Sequence, residues 1–350
     1  MLYIGLDVHK EFCQACVIDE SGRALSNERF SSTNEELDRF LDRFQDAKFV
    51  LESTGIWEFI YEGIEKRGFE VQLAHPMKVR AIAEARVKTD KVDAETLAQL
   101  LRADLIPRSW IPNKDMRDLR QLVRQRAYLV QQSTSLKNRI HAELLRRGVR
   151  RPENLRTPFS KRSIRWMRSL EIPTVFSCLS CLEYVLAEIE EINAQLLVEF
   201  ERRGDAQLIS TIPGIGFYGA LLILAEIDDV HRFRHSENLC AYAGLVPTVS
   251  QSASSVKYGA ISKDGSAYLR WILTESVHVH TRYNPGSQLS SFHARVARRR
   301  GKRIATVATA RKLLRIIYFM LMRHEPYSSH GSNPGKRVHS ECDLWIGANP

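Results

Sequence analysis

The sequence predicts an α/β plus α protein: a mixed-sheet domain, then a helical hairpin, then a mainly helical C-terminal domain. Three observations predict it. Short apolar runs broken by turn residues fill Tyr3 to Ala74, as strands alternating with short helices would require. From about Asp115 to Arg147 apolar residues recur at helical intervals, and Leu179 to Phe200 repeats the pattern. After Ser210 the chain turns to glycine-punctuated apolar helices rich in arginine.

Tyr3 to Val8, Phe12 to Ile18 and Arg23 to Phe30 read as consecutive strands, and Asp19-Glu20-Ser21-Gly22 is a hairpin turn between the last two. A helix from about Asn34 to Phe44, a strand ending at Glu52, a helix from about Trp57 to Arg67 and a strand from Val71 to Ala74 follow, ahead of a helix bearing Asp90 and Asp93. This order is the ribonuclease H-like (RuvC-like) plan. Asp7 follows the apolar run Leu2 to Leu6, and Glu52 closes the run Phe49 to Leu51, so both carboxylates fall at strand ends that open onto a cleft. Asp90 and Asp93 lie three apart and share one helical face.

Each acid alone has an ordinary explanation: Asp7 or Glu52 as a strand-end carboxylate, Asp90 as a helix cap with Asp93 in the first turn. Together they predict a divalent-metal site, because four clustered carboxylates repel one another until cations offset their charge. Hard oxygen ligands suit Mg²⁺, with Mn²⁺ as the alternative. A phosphate motif of actin-like kinases is the rival for Ile4 to Asp7, but it calls for Gly and Thr where this chain has Val8-His9-Lys10.

Lys and Arg number 51 against 41 Asp and Glu, a formal net charge of +10, and the excess is local. Between Glu275 and Glu325 no acidic residue interrupts eleven basic ones, among them Arg299, Arg300, Arg311 and Lys312. Such a block attracts a phosphate backbone, so nucleic acid is the expected partner. No segment has the apolar length of a membrane span, and the chain opens on a strand, so a cytosolic protein is expected. The pairs Cys13 with Cys16 and Cys178 with Cys181 lack a zinc-knuckle turn and are expected to be buried, reduced thiols.

In the middle region, Pro152 and Pro158 fall between two long helices expected to pair antiparallel as a dimerisation or spacer element. Arg117, Arg120, Arg124 and Arg126 on the first helix fit either a solubilising face or a nucleic-acid contact. Beyond them, Gly214 and Gly216 in STIPGIG precede the apolar helix Ala220 to Ile227, a turn that fits either a phosphate cradle or close packing on a neighbour. The serine cluster Ser250 to Ser255 reads as a polar loop.

The ordered set YIGLDVHK, LESTG, KTDKVDA, STIPGIG, AYAGLVP, SQSASSVK and SKDGSAYLR, covering about residues 2 to 325, resembles the Piv-type (DEDD) insertion-sequence transposases. The resemblance implies a RuvC-like acidic domain over 1–107, a helical coiled-coil region over 108–205, a serine-bearing transposase domain over 206–327 and a tail over 328–350. It puts Asp7, Glu52, Asp90 and Asp93 on the metal-binding acidic positions and the nucleophilic serine on Ser252, with Ala253 where the family often has glycine. It implies donor and target DNA as substrates, a structured noncoding guide RNA, a dimer or tetramer joining acidic and serine domains of different subunits, and residence with the nucleoid of a bacterial or archaeal cell. Arg270 and the Arg311-Lys312 pair become candidate phosphate contacts. Two simpler readings remain, a RuvC-like junction nuclease needing only the carboxylates and a noncatalytic nucleic-acid binder.

Overall fold

The structure, a computed structural model, describes residues 1–53, 55–83, 89–252 and 255–328. It divides into two compact units, Met1–Pro112 and Asn113–Pro350. The tail expected over 328–350 lies outside the described residues apart from Ser328.

The first unit runs β1 (Leu2–Val8), β2 (Phe12–Ile18), β3 (Ala24–Ser31), α1 (Asn34–Leu41), β4 (Ala47–Glu52), α2 (Trp57–Lys66), β5 (Glu70–Ala74), α3 (Pro76–Ile82) and α4 (Asp90–Arg102). The five strands form one sheet in the order β3-β2-β1-β4-β5. β2 is antiparallel to both its neighbours, whereas β1, β4 and β5 run parallel. The β2–β3 turn forms where expected: Gly22, at φ +86°, returns its N–H to the Asp19 carbonyl. α1 stops at Leu41, short of Phe44, and α3 has no counterpart in the expected order because only Val79 of it is buried.

Strand periodicity sorts the two faces of the sheet. Ile4, Leu6, Val8, Phe49 and Leu51 join Leu37, Phe40, Ile60 and Ile64 of α1 and α2 in one core. Val50 turns the other way, into a core with Leu97, Leu100 and Leu101 of α4. Cys16 and Ile18 likewise meet Ala94 and Ala98 of α4. Gly5 is the close point of that layer: a Cβ there would lie 2.1 Å from the Ala94 carbonyl oxygen and 2.5 Å from the Ala98 nitrogen. Glycine on the strand and alanines on the helix therefore let α4 press directly on β1.

The second unit runs α5 (Lys114–Arg146), α6 (Lys161–Ser169), α7 (Pro173–Arg202), α8 (Gly204–Ser210), α9 (Phe217–Ile227), a 3-10 turn at Val230–Arg232, α10 (Ser236–Tyr242), β6 (Pro247–Ser252), β7 (Ser255–Ile261), α11 (Ala267–Tyr283), α12 (Gln288–Arg300) and α13 (Lys302–Arg323). α5 and α7 pair antiparallel. Ile140 and Leu144 near the end of α5 meet Val175, Leu179 and Leu182 near the start of α7. At the opposite end Met116, Leu119 and Val123 share a core with Ile192 and Leu196. That core continues around α9, which is buried along its whole length from Tyr218 to Ile227, and takes in α8, α10, α11 and α13.

Ser250, Ser252 and Ser255 of the serine cluster lie in strands rather than a loop. β6 and β7 pair as an antiparallel hairpin with Ser250 opposite Lys257 and Ser252 opposite Ser255. Val249, Val256 and Tyr258 supply the strand propensity that the serines mask in a composition-based reading. Cys13, Cys16 and Cys240 are buried, and burial pushes the thiols of Cys13 and Cys16 up to about 11. Cys181, expected to be buried, is exposed because it lies on the outer side of α7, away from Leu179 and Leu182.

Candidate functional site

Asp7 lies on β1 at odd parity with Gly5, and Glu52 on β4 at even parity with Val50, so both carboxylates leave the sheet on the α4 side. The β1–β4 register pairs Leu6 with Leu51, which sets Asp7 and Glu52 next to each other at the C-terminal ends of parallel neighbours. Asp90 and Asp93 occupy the first turn of α4, where the helix dipole favours negative charge. Asp90 is not the cap: Thr89 takes that role, its hydroxyl accepting from the Val92 N–H. Asp90 is thereby left free of the capping role and reaches toward His9 and Asp7.

Among the described residues the tightest grouping is Asp7, His9 and Asp90, whose ligand atoms all fall within 4.8 Å of one another. His9 Nε2 stands 3.1 Å from Asp7 Oδ2 and 3.5 Å from Asp90 Oδ1. Arg29 of β3 holds the other Asp90 oxygen at 3.1 Å, and its guanidinium lies 3.8 Å over the Phe12 ring. Burial raises the Asp7 carboxyl above the usual aspartate range; His9 opposes that rise, and the charges of Asp90 and Asp93 add to it. Asp93 is thus within electrostatic reach of Asp7, although neither it nor Glu52 enters the closest trio.

His9 and Arg29 were missed as site residues. The signal for His9 was present, because two residues beyond Asp7 a side chain returns to the same face. Arg29 had none, since it arrives from the far strand of the meander. Gln14, opposite Asp7, and Asn27 complete this polar lane: Gln14 Nε2 donates to Asn27 Oδ1 at 2.7 Å, and Asn27 Nδ2 donates to the Lys91 carbonyl.

In the second unit Ser252 ends β6, and its side chain lies outside the described residues, as do Ala253 and Ser254. The base of its hairpin is tied by Arg270, whose Nη1 donates at 3.1 Å to the carbonyls of Ala243 and Gly265. These flank Gly244 and precede Ser266, so Arg270 joins the AYAGL and KDGS turns that lead into and out of the hairpin. Gly214, at φ +96°, packs so closely on α11 that a Cβ would meet the His280 nitrogen at 2.7 Å. His280 is buried, with Nδ1 2.7 Å from the Pro213 carbonyl and Nε2 2.8 Å from Ser287 Oγ. Gly216 precedes α9 as its cap, with no side-chain hydrogen bond.

The two sets of basic residues differ in what they face. Arg124 of α5 makes two hydrogen bonds to the buried Glu226 carboxylate, Arg120 donates to the Ala225 carbonyl, and Arg126 donates to Asn193 and lies 3.9 Å over the Tyr218 ring. These arginines are spent inside the unit. By contrast Arg298, Arg299 and Arg300 at the end of α12 and Lys302 and Arg303 at the start of α13 are exposed and make no ion pair among the described residues. Arg311 and Lys312, half-buried further along α13, also lack one; the Lys312 ammonium lies 4.8 Å from the Phe292 ring.

An α/β unit with carboxylates gathered at strand ends, followed by a helical unit with an exposed basic ridge, defines a class of protein equipped to act on nucleic acid. Residues 4–147 match the DEDD-type IS110 transposase profile, and residues 206–293 match that of the transposase IS116/IS110/IS902 family. The chain belongs to this family of transposases, enzymes that cleave and rejoin DNA. It is 27% identical over 338 residues to the transposase for insertion sequence element IS1111A of Coxiella burnetii, covering 93% of this chain and 90% of the relative. The IS1328 transposase of Yersinia enterocolitica is 26% identical over 333 residues, 93% of this chain and 98% of that one. The pilin gene-inverting protein of Moraxella lacunata is 27% identical over 358 residues, 96% and 98% of the respective chains. Among the described residues no helix is long and apolar enough to cross a membrane.

Proposed function

We propose that the chain is a metal-dependent serine recombinase: a ribonuclease H-like acidic centre at Asp7, Glu52, Asp90 and Asp93 assists Ser252 in cutting and rejoining the DNA of a mobile element. The observation that carries this reading is the convergence of Asp7 and Asp90 on one point, within electrostatic reach of Asp93. The strand order, with β2 alone reversed, supports the ribonuclease H-like assignment.

The donor set fits a hard divalent cation, since it offers carboxylate oxygens and a single imidazole. Asp7, Glu52, Asp90 and Asp93 would hold Mg²⁺ or Mn²⁺, which when bound neutralises phosphate charge and eases deprotonation of a hydroxyl. Ser252 Oγ attacks the phosphorus, its proton passes to solvent or a nearby base, and a phosphoserine bond forms as one DNA P–O bond breaks. The departing DNA oxygen takes up a proton. Attack by a DNA hydroxyl on the phosphoserine reverses these exchanges, so the bond energy is kept for rejoining. Arg270 serves by holding the base of the β6–β7 hairpin.

The exposed ridge of Arg299, Arg300, Lys302 and Arg303 is proposed to grip phosphates, with Arg311 and Lys312 extending it and the turn at Gly214 and Gly216 offering backbone N–H groups. A homo-oligomer working with donor DNA, target DNA and an element-encoded guide RNA completes the proposal.

The test is recombination between two plasmids carrying the element's flanking DNA and noncoding region, with a denaturing gel for protein joined to DNA. Wild type should recombine and form the adduct, and Ser252→Ala should lose both. Recombination that survives Ser252→Ala but not Asp7→Ala would instead make the enzyme a RuvC-like nuclease using water or another serine.

A further inference from the structure

His9 does not behave as a chance neighbour of the acidic centre. Its backbone is pinned on both sides, the N–H donating to the Phe12 carbonyl at 2.9 Å and the carbonyl accepting from Ser32 Oγ at 2.9 Å. Its ring packs on Phe12 with centroids 4.6 Å apart, and Arg29 braces the other parts of the same cluster by covering Phe12 and holding Asp90 Oδ2. Arg29 thereby leaves Asp90 Oδ1 turned toward His9. One ring nitrogen then faces one oxygen from each aspartate, at 3.1 Å and 3.5 Å.

Those separations have a chemical meaning. Around an octahedral cation with bonds of about 2.1 Å, adjacent ligand atoms stand about 3 Å apart. His9 Nε2 stands near that spacing from both oxygens, at 3.1 Å from Asp7 Oδ2 and 3.5 Å from Asp90 Oδ1, and all three atoms lie within 4.8 Å of one another, so one cation can draw on all three. We propose that His9 is a third ligand to the cation held by Asp7 and Asp90, and that its nitrogen makes this position prefer Mn²⁺ to Mg²⁺. The inference rests on the metal reading of the acidic centre. Mg²⁺ takes oxygen almost exclusively and parts reluctantly with its waters, whereas Mn²⁺ accepts imidazole alongside carboxylate, so one nitrogen separates two ions that four carboxylates alone would treat similarly.

The experiment is a binding titration of the full-length protein with Mn²⁺, followed by electron paramagnetic resonance, and with Mg²⁺, followed by calorimetry, in wild type, His9→Gln, His9→Asn and Asp7→Ala. Thermal melts establish that each variant is folded. Glutamine can still donate a hydrogen bond to both aspartates but is a poor substitute for an imidazole ligand. His9→Gln and His9→Asn should each weaken Mn²⁺ binding about tenfold while leaving Mg²⁺ binding within about twofold. Unchanged Mn²⁺ affinity in the folded His9 variants would overturn the inference and leave His9 a hydrogen-bonding neighbour; equal loss of both ions would overturn the selectivity. Unchanged affinity in Asp7→Ala would sink the metal reading itself, an outcome distinct from either.

Discussion

Gly5 of β1 faces Ala94 of α4 with no room for a side chain: a Cβ would lie 2.1 Å from the Ala94 carbonyl oxygen. The contact decides where the N-terminal turn of α4 stands over the sheet, and with it whether Asp90 reaches Asp7. Because the clash is with backbone, relief requires moving the helix. Gly5→Val should cost about 1–3 kcal/mol or more from overpacking and should weaken Mn²⁺ binding even where the protein still folds. Denaturant melts and a metal titration check both halves; a stable variant with wild-type metal affinity would show that α4 is not placed by this contact.

Arg124 and Glu226 form the main charged tie between α5 and α9, with hydrogen bonds of 2.8 Å and 3.0 Å to a carboxylate that is 1% exposed. Truncating the arginine strands a buried charge. Arg124→Met should lose stability toward the low end of about 3–5 kcal/mol, since Arg124 keeps 41% of its side-chain surface in water. The double variant Arg124→Met/Glu226→Leu should recover much of that loss, because an apolar pair leaves no charge to compensate. Chemical denaturation of Arg124→Met, Glu226→Leu and the double variant tests this, and additive losses would contradict it.

Much of the acidic centre was legible because its ingredients are local: an apolar run ending in Asp7, another ending in Glu52, and two aspartates three apart. Strand parity, together with the β1–β4 register that pairs Leu6 with Leu51, sends the first two to one face. What was not legible depends on distant partners. Whether Arg120 and Arg124 meet solvent or nucleic acid could not be read from α5, since their partners Ala225 and Glu226 lie on a helix about a hundred residues later. The β6–β7 hairpin was hidden for a different reason: its serines resemble a loop by composition, and cross-strand pairing overrides that preference. Arg29 reaches Asp90 only because the meander folds β3 beside β2.

Glu143, near the end of α5, accepts from Arg147 at 2.9 Å and from Thr174 at 2.8 Å, and Arg146 also pairs with it. These hydrogen bonds hold its carboxyl down to about 2, against an ordinary 4.5. A depressed folded-state value means the stabilisation is fully present above pH 4.5 and is lost as pH falls toward 2. Glu143→Gln should therefore melt lower than wild type at pH 7, with the gap closing between pH 4.5 and pH 2. Melts across that range provide the check; a gap that stays constant would mean the carboxylate charge is not what Arg147 and Thr174 stabilise.

The charges at the α12–α13 junction should be readable in the salt dependence of DNA binding. Arg299 and Arg300 are exposed and make no ion pair among the described residues, whereas Arg146 is exposed but ion-paired with Glu143. Only an uncompensated cation releases counterions when it meets a phosphate. Replacing Arg299 or Arg300 by Gln should weaken binding uniformly across sequences and reduce the log–log salt slope by about one each. Arg146→Gln should leave the slope unchanged. Fluorescence anisotropy with labelled duplexes of two unrelated sequences at several salt concentrations measures both quantities. If the slope were insensitive to Arg299 and Arg300, phosphate gripping would have to be sought elsewhere on the protein, beginning with Arg311 and Lys312.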